Sequence, residues 1–395
     1  MARKTFQYDL HGELTVTSPV QLPELERFRV HHRIEHPSIR VSVPAGGSPW
    51  AMSDHLRPPA PGGRRVTYHD GWGRFGFGME IMYGAPGETI AVQVTPFLAH
   101  TPHVLYTNVL EPILRWQFVE KGYALVHGAC VSIEDRAYLI TARTDTGKTT
   151  TILRLLDNYK DVAFLSDDLT LVRPDGRVLS YPKPLTISLH TMVAVNTPML
   201  TRRERMTLPI QSRLHSKSGR LFGMFLARTR LPMATMNGFV QFVVPPPKYH
   251  IDRLVPHVKH CACDAKLAGV FVIERGEDAV IPLSDVEAAQ ILVENSDDAY
   301  GFPPYHDIKH LLYQVADTDL RPLEQATIAT AVAGLPAVHL RSSTRNWWQQ
   351  IPVYMGISSV PKTVMAPQPV HVETSEVYGD LVGVLAAEPS RMSAD

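Results

Sequence analysis

Cysteine is scarce in this chain, which has only Cys130, Cys261 and Cys263 among its 395 residues. Three thiols at this uneven spacing are too few for the disulfide framework that stabilises many small secreted domains. We therefore expect a reducing compartment and predict a cytoplasmic protein.

Long apolar runs and an excess of one charge are also missing. No stretch reaches the length of about 18 uncharged apolar residues that suggests a membrane-spanning helix. The N-terminal sequence MARKTFQYDLHGELTV has charges with no apolar stretch behind them, so we expect no secretory signal. Lysine and arginine total 39, as do aspartate and glutamate, so the overall charge predicts no nucleic-acid partner.

The chain does have enough apolar material for a large core, since 44 % of its residues are hydrophobic. Its length suits two or three domains of ~150 residues each. Short β-prone runs with Pro/Gly-rich punctuation predict a mostly β module over residues 1–105. Alternating strand and helix patterns predict an α/β core over 106–335, and residues 336–395 are predicted to form a C-terminal extension with a loose tail.

Within the core, the apolar spacing predicts one helix over residues 108–123. Two apolar β-prone runs follow, over 124–133 and 137–142, and these are expected to be neighbouring buried strands. A helical stretch, TTTILRLLDNYK, and a further strand over 162–165 complete a strand, loop, helix, strand unit.

The turn between the second strand and the helix has the pattern of a phosphate-binding loop, because residues 142–149 read ARTDTGKT. Backbone NH groups of such a loop and the positive end of the next helix converge on phosphate oxygens. Lys148 would add a charge near the β and γ phosphates, and the Thr149 hydroxyl would hold Mg²⁺. The predicted site for ATP consists of Thr144, Asp145, Thr146, Gly147, Lys148, Thr149 and Thr150.

Two residues of this loop depart from the pattern. Ala142 stands in place of the first glycine, and Asp145 brings a negative side chain into a loop meant for anions. The alternative is a chance GKTT in a surface turn. The strand before it, the helix after it and the acids downstream favour the phosphate loop.

Two adjacent carboxylates, Asp167 and Asp168, end the strand that follows the helix. In an α/β sheet this position faces the phosphate loop. Adjacent residues at a strand end point in different directions, so one carboxylate can hold Mg²⁺ while the other accepts a proton from an attacking hydroxyl. A solvated Asp-Asp turn is the alternative.

These residues resemble the HPr kinase family, bacterial serine kinases that share a core with ATP-dependent phosphoenolpyruvate carboxykinases. The resemblance covers about residues 124–190. It rests on three groups in the family's order, which are His127-Gly128, Gly147-Lys148-Thr149 and Asp167-Asp168.

The resemblance implies an α/β phosphate-loop kinase core of HPr kinase and carboxykinase type. It implies that Asp167 acts as general base and acid, that Asp168 binds the metal with Thr149, and that His127 lies close to the base; a plain core histidine is the alternative for His127. The family often forms oligomers, which makes a homo-oligomer an expectation. The chain has no counterpart of the family's protein-recognition region, so relatives that phosphorylate other hydroxyls fit better than HPr as a substrate.

A concentrated run of positive charge occupies residues 202–230, where eight basic side chains stand against the single acid Glu204. This segment could neutralise phosphate charge or hold an anionic acceptor. Its apolar residues also permit peripheral contact with anionic lipid. A solvated basic loop is the third interpretation.

The sequence hence predicts a kinase that transfers the γ-phosphate of ATP, with Mg²⁺, to a hydroxyl of a small metabolite, peptide or protein. Asp167, His127 and Lys148 are its predicted catalytic residues. One alternative is a non-catalytic ATP-binding sensor or scaffold, which the altered loop favours. A carboxykinase-type enzyme on the same core is the other.

Overall fold

A computed structural model describes most of the chain. It covers residues 5–44, 64–72, 75–84, 87–143, 146–187, 191–192, 201, 232–261, 264–298, 305–315 and 318–357. These residues belong to one compact unit, Met1–Ser359.

The first part of the described chain forms a mixed sheet with the strand order β3-β1-β2-β4-β7-β6-β5. Strands β2, β4 and β7 run parallel to one another, and the remaining pairs are antiparallel. Its strands are β1 (Phe6–Leu10), β2 (Leu14–Ser18), β3 (Arg29–Val30), β4 (Ile39–Ser42), β5 (Arg64–Trp72), β6 (Phe75–Tyr83) and β7 (Ile90–Val94). A 3₁₀ helix, Pro23–Phe28, precedes β3.

A helical stretch connects this sheet to the rest of the chain. It consists of α1 (Pro96–Ala99), α2 (Pro102–Leu105), a π-helical turn (Tyr106–Leu110) and α3 (Glu111–Glu120). The single helix predicted over 108–123 therefore starts earlier and changes its hydrogen-bonding pattern before α3. It stops where expected, because Gly122 takes a positive φ of 80°.

The second sheet, also mixed, contains ten strands in the part of the chain that is described. Its main path runs β16-β11-β9-β10-β17-β13-β12-β8, and β21 pairs with both β17 and β18. The strands are β8 (Ala124–His127), β9 (Ala129–Ile133), β10 (Arg136–Thr141), β11 (Val162–Ser166), β12 (Leu169–Val172), β13 (Arg177–Leu179), β16 (Lys259–His260), β17 (Ala265–Arg275), β18 (Ala279–Leu283) and β21 (Ala337–Ser342). Two short ladders lie outside it, β14 (Leu185–Thr186) with β15 (Lys248–Tyr249) and β19 (Gln314–Val315) with β20 (Thr318–Asp319).

The apolar run over 124–133 is two strands, and the prediction of one strand there was wrong. The chain breaks at Gly128, whose backbone NH donates to the carbonyl of Asp168 over 3.0 Å. Strand β8 pairs with β12, whereas β9 pairs with β10 and β11. Both strands are fully buried, so their hydrophobicity could not reveal that they occupy different places in the sheet.

The remaining described helices pack around this sheet. They are α4 (Lys148–Asn158), α5 (Met233–Val243), α6 (Ile251–Leu254), α7 (Asp285–Asp298), α8 (Tyr305–Leu312), α9 (Arg321–Val332) and α10 (Trp347–Tyr354). Helix α7 starts with a capping box, in which Ser284 Oγ accepts from the NH of Glu287 and the Glu287 carboxylate accepts from the NH of Ser284. None of the helices in the described ranges is long and apolar enough to cross a membrane.

One hydrophobic cluster runs from the first sheet through α3 into β12, where Leu169 and Leu171 belong to it. The two sheets thus share a core. Residues 337–342 form β21, parallel to β17, so the second sheet extends beyond residue 335. The structure is mixed α/β with several mixed sheets, which confirms the α/β class; the proposed domain boundaries stay predictions.

Candidate functional site

The predicted phosphate loop joins the end of β10 to the start of α4. Helix α4 begins at Lys148, and its buried residues, among them Ile152 and Leu155, fix it against the sheet. The predicted residues Thr144 and Asp145 lie outside the described residues. Thr146 is described, and its hydroxyl donates to the Arg143 carbonyl over 2.7 Å.

Gly147, immediately before the helix, has a backbone conformation that other residues rarely adopt, with φ of 137°. A Cβ atom at this position would lie 3.1 Å from Cζ3 of Trp347, which is buried. The turn therefore favours glycine at position 147, and the indole ring of Trp347 leaves little room there for a side chain. The sequence pattern predicted the first requirement, and only the structure reveals the second.

Lys148 is 9 % exposed, and its ammonium points into the protein. Nζ lies 2.7 Å from Nε2 of His127 and donates to the Ala142 carbonyl over 3.3 Å. The structure thus brings the phosphate-loop lysine and the predicted histidine into direct contact.

Asp167 follows β11 and is buried, with 7 % of its surface exposed. Its Oδ2 accepts a hydrogen bond from the Thr149 hydroxyl over 3.0 Å. Its Oδ1 is buried and has no hydrogen-bond partner among the described residues. Burial, together with the charge of neighbouring Asp168, raises the pKa of Asp167 to about 7.

Asp168 is in a different environment, because its side chain is 49 % exposed and two basic groups contact it. Oδ1 lies 3.1 Å from Nε2 of His127, and Oδ2 accepts from Nζ of Lys183 over 3.1 Å. Burial works against ionisation, but Lys183 and His127 outweigh it and hold the pKa of Asp168 well below its usual range. The pKa values of the two neighbouring acids are therefore shifted in opposite directions.

His127 connects the loop to the acids, although a histidine at the end of a buried strand could have been a plain core residue. Nδ1 lies 2.9 Å from the Asn295 carbonyl, and a carbonyl only accepts, so Nδ1 must carry a proton. Nε2 can then either accept from Lys148 or donate to Asp168, but it cannot do both at once. The backbone NH of His127 donates to Ser296 Oγ over 3.0 Å, so α7 fixes the residue.

Lys183 and Glu111 belong to this cluster, and the sequence motifs did not indicate them. Nζ of Lys183 donates to Oε2 of Glu111 over 2.7 Å as well as to Asp168. Lys183 lies in the short YPKP segment, which has no recognised phosphate-site pattern, and Glu111 lies at the start of α3. Only the three-dimensional arrangement identifies them.

The predicted metal ligands Thr149 and Asp168 are not hydrogen-bonded to each other; Thr149 contacts Asp167 instead. The Thr149 hydroxyl and the carboxylates of Asp167 and Asp168 are oxygen ligands of the kind that Mg²⁺ takes, since it often binds through one or two carboxylates and the phosphates of a substrate. Within the described ranges no group of three or more His, Cys, Asp or Glu side chains is arranged to hold a metal. Thr150, another predicted nucleotide contact, donates to Thr191 over 3.3 Å.

The basic segment 202–230 is outside the described residues. The thiol of Cys130 is free and buried, whereas Cys263 is not among the described residues. In the segment HVKHCACD, residues 257–264, several side chains are of types that bind metals, but His260 contacts Asp252 and Asp264 pairs with Arg177.

Comparison with known proteins adds no family to this geometry. No model of a known protein family matches the chain, and no curated protein matches it significantly.

Proposed function

We propose that the chain is a nucleotide-dependent kinase with an HPr kinase-like phosphate-loop core, which transfers the γ-phosphate of ATP to a hydroxyl of an acceptor. One observation carries the proposal. Two adjacent acids at the end of β11 have opposite pKa shifts and contact the first turn of α4, one through Thr149 and the other through His127 and Lys148.

The split between the acids supports a division of labour. A general base works best when its pKa lies near the ambient pH, and that of Asp167 is about 7. Its free oxygen, Oδ1, takes the acceptor's hydroxyl proton as that oxygen attacks the γ-phosphorus. The bond from the γ-phosphorus to the bridging oxygen breaks, and ADP leaves with the electron pair.

The loop supplies the binding part of the mechanism. The N-terminus of α4, which begins at Lys148, would bind the phosphates through its backbone NH groups. To reach them, the Lys148 ammonium moves away from Nε2 of His127, which becomes available to Asp168. Asp168, whose carboxylate stays ionised, and Thr149 would hold Mg²⁺, which supplies charge neutralisation on the phosphates when bound.

Residue Lys148 gives the direct test, with Lys160 as the matched control because it is exposed and follows the same helix. Nucleotide binding and transfer of label from γ-labelled ATP to fractionated cell extract would be measured separately. We expect Lys148→Ala to lose transfer and to weaken ATP binding, while Lys160→Ala behaves like the wild type. Normal turnover by Lys148→Ala would overturn the proposal.

A nucleotide sensor is the second candidate, and the enclosed position of Lys148 favours it. Nζ is held by His127 and the Ala142 carbonyl, as it would be in a loop that binds nucleotide without turning it over. The same measurements separate the two. Binding without phosphate release, whatever acceptor fraction is added, would support the sensor.

A further inference from the structure

The backbone of the segment that carries Lys183 is restricted in its conformation. It lies between Pro182 and Pro184, whose rings restrict the backbone. The NH of Tyr181 donates to the carbonyl of Leu165 in β11 over 3.1 Å, and that of Lys183 donates to the Tyr181 carbonyl over 2.9 Å. The side chain of Lys183 therefore starts from a fixed point beside the strand that ends at Asp167.

The path of this side chain is fixed as well. Lys183 Nζ lies 5.9 Å from the ring centre of Tyr106, and the hydroxyls of Tyr106 and Tyr181 are 2.8 Å apart. The Lys183 side chain is 12 % exposed and that of Glu111 is 8 % exposed. A buried charge persists only when it is paired, and here the ammonium pairs with both Glu111 and Asp168.

Asp168 has few other contacts to hold it in place. It lies in the turn between β11 and β12, it is half exposed, and its other side-chain contact is Nε2 of His127, which Lys148 also contacts. Removal of Lys183 would take away the hydrogen bond that Oδ2 of Asp168 accepts. The half-exposed Asp168 carboxylate would then turn towards solvent, where water can replace the lost ammonium.

We infer that Lys183 is a positioning residue of the kinase site: it holds the Asp168 carboxylate against His127, with Glu111 anchoring the ammonium from the other side. This inference rests on the proposed function for its catalytic consequence. Lys183 thus acts through the Asp168 carboxylate and does not act directly on the nucleotide.

Lys248 offers a matched control. Its ammonium pairs with the buried carboxylate of Glu24, and its side chain is 16 % exposed, so Lys248→Met removes a similar buried charge that pairs with neither Asp167 nor Asp168. We would compare Lys183→Met, Lys183→Arg and Lys248→Met with the wild type. Crystal structures, unfolding midpoints, and kcat and KM for ATP would be measured for each.

We expect Lys183→Met to fold, to show Asp168 displaced from His127, and to lower kcat roughly 100-fold, as small misplacements do. KM for ATP should change little, because the contacts of Lys183 are to Glu111, Asp168 and the Tyr106 ring and not to the described residues of the loop. Lys183→Arg should recover part of kcat and the contact between Asp168 and His127. Lys248→Met should lose stability while keeping kcat.

The outcomes separate this inference from the proposed function. If the wild type transfers no phosphate, the kinase proposal fails, and the crystal structures still test whether Lys183 holds Asp168. If the Lys183→Met structure keeps Asp168 against His127, or a folded Lys183→Met keeps the wild-type kcat, the positioning role is wrong. Equal loss of kcat in Lys248→Met would also overturn it, by showing a general effect of stability.

Discussion

The Thr149 hydroxyl donates a 3.0 Å hydrogen bond to Oδ2 of Asp167, which joins the first turn of α4 to the end of β11. This bond uses one oxygen of the aspartate and leaves Oδ1 buried without a described partner. An unpaired buried carboxylate oxygen is costly in a resting protein. It is useful in one that receives a proton or a cation at that atom.

Asp167→Asn tests this oxygen. The amide keeps the size of the side chain and a contact to Thr149 but cannot take a proton, so we expect transfer to fall about 10²–10⁴-fold. ATP binding, measured by calorimetry, should persist. Asp161→Asn is the control, because that carboxylate is 81 % exposed; a similar loss there, or full activity in Asp167→Asn, would contradict the assignment of the base.

Gly147→Ala separates backbone strain from the contact with Trp347. We expect a loss of about 1–3 kcal/mol in unfolding free energy, since φ of 137° disfavours any side chain. The cost should persist in a Trp347→Leu background, where the ring that would meet the new Cβ is gone. Urea unfolding of the wild type, Gly147→Ala, Trp347→Leu and the double variant gives the comparison. If the cost disappears without the ring, the steric contact alone explains the glycine.

Glu24 makes the free energy of unfolding depend on pH in the acid range. Burial would raise its pKa, but Lys248 and His103 lower it from 4.5 to about 2. A carboxylate with a depressed folded pKa stabilises fully above its unfolded value, and that stability is lost as the pH falls towards 2. We expect about 3 kcal/mol to be lost in this window.

The measurement is denaturant unfolding between pH 2 and 6 for the wild type and Glu24→Gln. The variant should have lower stability at pH 6 and a flatter dependence on pH, because its amide does not titrate. Parallel curves would show that Glu24 has the same proton affinity in the folded and unfolded chain.

Arg115 and Glu324 form a buried, bidentate ion pair between α3 and α9. Nε of Arg115 donates to Oε1 of Glu324 over 2.7 Å, and Nη2 donates to Oε2 over 2.8 Å. Their side chains are 1 % and 4 % exposed. We expect Arg115→Met to lose about 3–5 kcal/mol, because it strands a buried charge. Adding Glu324→Leu should recover part of the loss, as urea unfolding would measure. A double variant less stable than Arg115→Met would contradict this account.

The sequence predicted the parts of the site that follow one another along the chain. The helix predicted from Thr149 begins one residue earlier, at Lys148, and the strand before it and the strand before Asp167 were also anticipated, because apolar periodicity and loop patterns are local. The structure places α4 and the two acids in contact, through the bond from Thr149 to Asp167. Their predicted roles in phosphate transfer stay predictions.

Contacts between residues far apart in the sequence could not be predicted in the same way. Lys183 reaches Glu111 from 72 residues away, and no periodicity relates the two. The break at Gly128 was equally hidden, because β8 and β9 are both continuous apolar runs whose partners lie elsewhere in the sheet. Such choices depend on tertiary packing, which outweighs local preference in buried strands.

The break at Gly128 between β8 and β9 also has a consequence for folding during synthesis. Strand β8 must wait for β12 before it has a neighbour, and His127 is fixed only when Ser296, 169 residues later, becomes available. Contacts of such large sequence separation form slowly. A nascent chain on the ribosome therefore exposes the phosphate loop and both aspartates well before the imidazole between them can be locked in place.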